Sequence, residues 1–213
     1  WLIENMYEIC EREPATLEEM VIRTCSIKKM VVEKDPTEQG DRALLNLGHT
    51  IGHAIEKAKN FELYHGECVA LGTVAAAYIS WKKEMLSMEE FYEIRDMFVP
   101  FYLPISVDDI DPQEILKLTK SDKKMEAGKI KFILLKKIGK AVIDRTVTDD
   151  DGTVECPCFS GIQSTPFQGK GCIGIAITVS AVFGMEGCRG RTRLAIRYSN
   201  LISVSYTHLR AHE

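Results

Sequence analysis

The chain has 213 residues, 45% of them hydrophobic and 27% charged, with a formal net charge of −4. This balance describes a soluble globular protein with enough length to bury a core, and it excludes intrinsic disorder, collagen-like repeats and a general nucleic-acid binder. No apolar run reaches the roughly 18–20 residues that a membrane helix needs, no basic start followed by an apolar segment marks a secretory signal, and the first residue is Trp1 rather than Met; the expectation is a piece of a longer chain.

Up to about residue 122 the pattern is helical. Thr16-Leu17-Glu18-Glu19 reads as a capping box, and Met20, Val21, Cys25, Ile27 and Val31 follow as an apolar stripe until Asp35-Pro36 stops the helix. A loop with Gly40 leads to a second helix carrying Leu44, Leu45, Leu47, Ile51, Ala54, Ile55 and Ala58. A third, from about Glu67 to Met85, is rich in small residues (Ala70, Gly72, Ala75, Ala76, Ala77), which lets a neighbouring helix approach closely. Ser87-Met88-Glu89-Glu90 is a capping box for a fourth helix, and Asp111-Pro112-Gln113-Glu114 has the N-cap and N1 proline of a fifth. The period then changes: residues Lys129 to Leu135, a Gly139 turn and Ala141-Val142-Ile143 read as a hairpin. The expected fold is mainly α, a helical domain over residues 1–150 with one small β-hairpin.

Residues 151–213 read differently. They carry a net charge of +2 against −6 for the first 150, and hold four of the seven cysteines and eight of the fifteen glycines. Val154 to Gly171 has no period, and the apolar run Ile173–Phe183 has no convincing partner. The ending Ser203-Val204-Ser205-Tyr206-Thr207-His208-Leu209-Arg210-Ala211-His212-Glu213 resembles translated sequencing-adapter ends. This stretch is expected to be an unassigned tail, frame-shifted or chimeric and without native structure. Gly169-Lys170-Gly171-Cys172-Ile173-Gly174 matches the dinucleotide glycine fingerprint, but it lacks the preceding strand, the following helix and the acidic residue that the motif requires. Cys156, Cys158, Cys172 and Cys188 lack the paired spacing of a zinc module.

Chemistry concentrates upstream. Three of the five histidines, His49, His53 and His65, fall in one short stretch. His49 and His53 are four apart on one helix face, where two imidazoles can approach a single metal ion. A zinc protease is excluded, because Thr50 stands where that motif places its general-base glutamate. Arg42, Asn46, His49 and His53 recur at steps of 4, 3 and 4, so they are expected to stack along one side of an otherwise apolar helix and face a cleft. His65 sits just before the third helix, whose partial positive charge disfavours imidazolium and leaves a neutral ring able to bind metal. Glu67, in the first turn, suits the helix start.

These residues carry a resemblance. Gly40-Asp41-Arg42-Ala43-Leu44-Leu45-Asn46-Leu47-Gly48-His49-Thr50-Ile51-Gly52-His53-Ala54-Ile55-Glu56, followed by His65-Gly66-Glu67-Cys68-Val69-Ala70-Leu71-Gly72, closely resembles the 3-dehydroquinate synthases, members of the sugar phosphate cyclases. The likeness runs over roughly residues 1–149, the C-terminal domain of that family. It implies that His49 and His65 are two of three protein ligands of a divalent metal, zinc or cobalt. It implies further that His53 is a catalytic residue beside the leaving phosphate, and that Lys28, Arg42, Asn46 and a lysine of the Lys123-Lys124 pair contact substrate, Lys28 with a catalytic share.

The implied reaction turns a seven-carbon keto acid phosphate into 3-dehydroquinate with loss of phosphate, on the shikimate route to chorismate and aromatic amino acids. NAD is recycled within it. The implied setting is cytoplasmic, with a small anionic substrate, a homodimer for the full-length enzyme, and neither nucleic acid nor membrane as partner. The family's NAD domain and a third metal ligand, a glutamate, are expected upstream of Trp1, so the isolated chain should hold metal weakly and turn over nothing. Two other readings compete: another sugar phosphate cyclase, and a catalytically silent binding domain of the same fold.

Overall fold

A helix begins where backbone N–H groups find an acceptor, and in this chain the acceptors decide most of the boundaries. The computed structural model describes residues 1–38, 40–121, 125–126, 129–148 and 155–159. A short helix α1 (Met6–Cys10) is followed by the long α2 (Pro14–Lys34). The start of α2 corrects the capping box expected at Thr16. Pro14 occupies the first turn and Glu13 supplies the cap, accepting a hydrogen bond from Thr16 N at 2.6 Å. A carboxylate ahead of an N1 proline thus takes the role assigned to the threonine. Asp35-Pro36 ends α2 as expected, and the Asp35 carboxylate folds the next loop back by accepting from Gly40 N (2.8 Å) and Arg42 N (3.0 Å).

The second expected helix is in fact two elements. Asp41–Asn46 forms a 3-10 turn, and α3 (His49–Ala58) begins only after a break. The break lies at Leu47, which is extended, and Gly48, which has a φ of +79°. The left-handed conformation favours glycine, and a Cβ at Gly48 would also stand 2.6 Å from the Val69 carbonyl oxygen. Residues 59–64 then connect α3 to α4 (His65–Lys82).

Helix α4 is the centre of the fold. Gly66 and every residue from Cys68 to Ser80 are buried, the mark of a helix that packs on all sides. It lies against α3, against α5 (Met88–Asp96) and against the hairpin. Its contact with α3 is made by backbone: a Cβ on Gly72 would collide with the Gly48 carbonyl oxygen and stand 2.7 Å from Gly52 N. The small residues noted in the sequence do bring a neighbouring helix close. Farther along α4, buried Ser80 donates from Oγ to the Ala76 carbonyl at 2.7 Å and accepts from Leu135 N at 2.9 Å, fastening helix to hairpin.

The remaining elements complete the shell. Ser87 and Glu90 form the expected capping box of α5, with Glu90 N donating to Ser87 Oγ (3.2 Å) and Ser87 N to Glu90 Oε2 (2.9 Å). Helix α6 (Pro112–Ser121) is capped by Asp111, whose Oδ1 accepts from Gln113 N at 2.9 Å, and it packs on α3. Two short strands, β1 (Met125–Glu126) and β2 (Lys129–Ile130), pair antiparallel. The hairpin proper is β3 (Phe132–Lys137) and β4 (Lys140–Asp144), in the register Ile133↔Ile143 and Leu134↔Val142, with an irregularity between Leu135 and Lys137. Lys129-Ile130, expected as the start of this strand, therefore belongs to the other pair.

Residues 155–159 lie against this body. Val107 N donates to the Cys158 carbonyl at 2.8 Å, and Lys82 Nζ reaches Glu155 Oε2 at 2.9 Å. The glycine fingerprint at 169–174, Cys172, Cys188 and the adapter-like ending lie outside the described residues. Among the described residues, no helix is long and apolar enough to cross a membrane. The architecture is mainly α with a small antiparallel hairpin, as expected.

Gly72→Ala places a methyl group into backbone with nowhere to move. Overpacking of this kind costs roughly 3 kcal/mol, so the urea midpoint followed by helical circular dichroism is expected to fall sharply.

Candidate metal centre

The close approach of α3 and α4 decides where three imidazoles end up. His49 opens α3, His53 stands one turn later on the same face, and His65 is the first residue of α4. His65 was expected one step before its helix; the helix starts earlier because Tyr64 is the N-cap and Glu67 Oε2 accepts from Tyr64 N at 2.8 Å. Glu67 thus has the helix-start role expected of it. Ring centroids are 5.4 Å apart for His49–His53, 5.4 Å for His49–His65 and 5.6 Å for His53–His65. One ring nitrogen from each histidine lies within 4.8 Å of the other two. Zinc–nitrogen bonds of about 2.0–2.1 Å set tetrahedral ligand atoms roughly 3.4 Å apart, a spacing of the same order as the separation within this trio.

Two of the rings are held from behind. His49 Nδ1 lies 3.2 Å from the Leu47 carbonyl oxygen. A carbonyl only accepts, so Nδ1 carries the proton and Nε2 keeps its lone pair for a ligand. His65 Nδ1 lies 3.4 Å from Glu56 Oε1, with both side chains about four-fifths buried (21% and 19% exposed). His65 Nδ1 thus faces a carboxylate, as His49 Nδ1 faces a carbonyl. Such backing by a carbonyl or a carboxylate is typical of histidines that hold a metal, and the donor set fits a divalent cation of the zinc or cobalt type.

Glu56 is the residue that sequence reasoning left without a role. The signal was available: His49, His53 and Glu56 are spaced 4 and 3 apart along α3, one continuous polar line on an apolar helix. Cys68, one turn into α4, is buried and offers no ligand. Burial above all, then Glu56 and Glu67, pushes its thiol up to about 12, and only a thiolate binds metal.

The continuous stripe from Arg42 to His53 is corrected by the break at Gly48. Arg42 and Asn46 ride on the 3-10 turn, where left-handed Gly48 separates their register from that of α3. Arg42 Nη1 donates to the Pro36 carbonyl at 2.6 Å, and Asn46 Nδ2 to Glu38 Oε1 at 2.9 Å. Lys28 is half-buried on α2, which packs against that same turn. Lys123 and Lys124 lie outside the described residues. The structure therefore gathers the three histidines and sets Arg42 and Asn46 on a neighbouring turn.

A helical domain with converging imidazoles defines a class of candidate metal-holding proteins, and comparison with known proteins narrows it. Residues 1–125 match the family model described as 3-dehydroquinate synthase C-terminal. The chain belongs to that family. Among curated relatives, the 3-dehydroquinate synthase of Nitrosomonas europaea is 43% identical over 148 residues, 69% of this chain and 40% of that protein. The synthase of Acetivibrio thermocellus is 41% identical over 147 residues, 69% of this chain and 41% of that protein; that of Nitrosospira multiformis is 40% identical over 148 residues, 69% of this chain and 40% of that protein. The chain thus spans about 40% of the length of the relatives it matches. Among solved structures, 2-epi-5-epi-valiolone synthase from Streptomyces hygroscopicus subsp. jinggangensis, determined with NAD+ and Zn2+ bound, has the same fold at a TM-score of 0.52. It is 23% identical, and the match covers 59% of this chain and 34% of that one.

With its thiol held protonated, Cys68 is expected to resist iodoacetamide at pH 8 in the folded chain while exposed Cys25 is alkylated; peptide mass mapping before and after urea unfolding checks the order.

Proposed function

We propose that the full-length protein is a 3-dehydroquinate synthase, a phosphate-eliminating lyase that converts a seven-carbon keto acid phosphate to 3-dehydroquinate. On this reading the present chain supplies the metal- and substrate-holding part of the enzyme. The observation that carries the proposal is the convergence of His49, His53 and His65 on one point within a stretch that belongs to this family.

His49 and His65 are the residues that would hold the metal, because each has its Nδ1 occupied from outside the cluster. When bound there, a divalent cation supplies Lewis acidity, lowering the pKa of a hydroxyl placed against it. His53, on the same face of α3 and in ring contact with both, is the imidazole left to donate a hydrogen bond to an anionic oxygen of the substrate. Arg42 and Asn46 take the role of substrate donors. Their present partners, the Pro36 carbonyl and Glu38, are exposed, so exchanging them for a substrate anion costs little. Lys28 and the Lys123-Lys124 pair belong to the same reading as further cationic contacts for a phosphorylated substrate.

On this proposal NAD binds mainly to another part of the full-length enzyme. The described residues contain two-stranded antiparallel sheets, whereas dinucleotide sites lie at the carboxyl ends of parallel strands. A cytoplasmic location and a homodimer accompany the proposal as the setting of the full-length enzyme. A different sugar phosphate cyclase is the second reading, raised by the shared fold of the valiolone synthase; identities of 40–43% to 3-dehydroquinate synthases against 23% favour the first.

The full-length enzyme is expected to release inorganic phosphate from its keto acid phosphate substrate, to lose that activity with a chelator, and to regain it with zinc or cobalt. His65→Ala is expected to abolish stoichiometric zinc retention with helical circular dichroism preserved. His53→Ala is expected to retain zinc but lose about 2 kcal/mol of interaction with an anion, roughly thirtyfold in kcat/KM. Full activity in the presence of chelator would refute the proposal.

A further inference from the structure

The His65 ring is attached to its helix by two torsions, of which the inner is confined to staggered wells while the outer, at the imidazole, is broad and nearly two-fold. A ring in that position points its lone pair at a fixed spot only if something else holds it. The local backbone is already committed: Tyr64 caps α4, and Glu67, the nearest acid in sequence, accepts from Tyr64 N. The carboxylate that faces the ring comes from the other helix. Glu56, near the end of α3, places Oε1 3.4 Å from His65 Nδ1, in a setting where both side chains are about four-fifths buried. Among the described residues, the ligand atoms that gather within 4.8 Å belong to the three histidines alone, so Glu56 stands behind the cluster and is not a member of it. His49 has a counterpart in the Leu47 carbonyl at 3.2 Å.

We infer that Glu56 is a positioning residue for the metal centre: its carboxylate holds His65 in the Nδ1–H tautomer and turns Nε2 toward the site. The inference deepens the metal reading above and rests on it. It assigns the α3–α4 pair two tasks, because one helix both carries imidazoles of the cluster and orients the imidazole carried by the other. Removing such a partner typically weakens metal binding by roughly 10–100-fold.

The test uses the 213-residue chain and its variants Glu56→Ala and Glu56→Asp, with two readouts. Long-range proton–nitrogen NMR at pH 8, without metal, reports the tautomer of His65; zinc titration against a chromophoric chelator reports affinity. The wild-type chain is expected to show Nδ1–H at His65. Glu56→Ala is expected to revert to the Nε2–H-dominated mixture of free imidazole and to bind zinc about 10–100-fold more weakly. Glu56→Asp, which keeps the charge, is expected to recover most of both. An unchanged tautomer in a folded Glu56→Ala overturns the inference, and so does zinc affinity within twofold of wild type. Should Glu56→Ala fail to fold, the tautomer of Glu56→Asp decides: retention of Nδ1–H supports the inference and its loss overturns it. Where the wild-type chain takes up no zinc, the tautomer arm decides: an Nδ1–H at His65 that is lost in Glu56→Ala supports the inference, and a tautomer unchanged in Glu56→Ala overturns it.

Discussion

Everything at the candidate centre depends on two helices whose backbones touch. At Gly48, Gly52 and Gly72 there is no side chain between α3 and α4: a Cβ on Gly52 would sit 2.8 Å from the Cys68 carbonyl oxygen, and one on Gly72 would sit 2.7 Å from Gly52 N. Ordinary helix pairs are separated by side chains at about 8–10 Å between axes. The glycines remove that layer, and His65 at the head of α4 thereby comes within ring-contact distance of His49 and His53 on α3. Apolar burial along the rest of α4 then fixes the pair in place, since nearly all of that helix is inside the protein.

Around this contact the polar groups divide their work. Glu67 is occupied with the helix start, Asp35 with the loop that precedes the 3-10 turn, and Ser80 with the junction between helix and hairpin. Each satisfies backbone N–H groups that would otherwise be orphaned. Beside these, the three imidazoles cluster between α3 and α4, and Glu56 stands against one of them, His65. Buried polar groups are costly unless they are partnered, and here the Leu47 carbonyl faces His49 and the Glu56 carboxylate faces His65.

Much of this was legible in the sequence, for identifiable reasons. The Ser87 capping box, the Asp111-Pro112 start of α6 and the Asp35-Pro36 stop are local chemistry with local consequences, and the structure has them where the residues stand. The apolar, small-residue composition of α4 announced a core helix with a close neighbour. What the sequence hid was non-local or conformational. Period alone joined Arg42 to His53 in one helix, because a single left-handed glycine inside an apolar pattern does not disturb the count; its φ is +79°, and a Cβ there would meet Val69 and Thr73 of another helix. The cap of α2 moved to Glu13 because a proline followed it. Glu56 was visible only as one more acid until α4 brought His65 against it. The resemblance to 3-dehydroquinate synthases, by contrast, rested on a long contiguous motif, and the family match over residues 1–125 agrees with it.

The connection between α3 and α4 spans only residues 59–64, so all three imidazoles belong to one helical hairpin. Bringing together groups so near in sequence carries a small loop-closure entropy, and such contacts form early, ahead of strand pairings between distant segments. The three imidazoles are thus carried by two adjacent helices and the short segment between them, while α5, α6 and the β-hairpin pack around that pair. The cluster is in this sense a local feature of the chain, its ring contacts joining residues no more than 16 positions apart (His49 to His65).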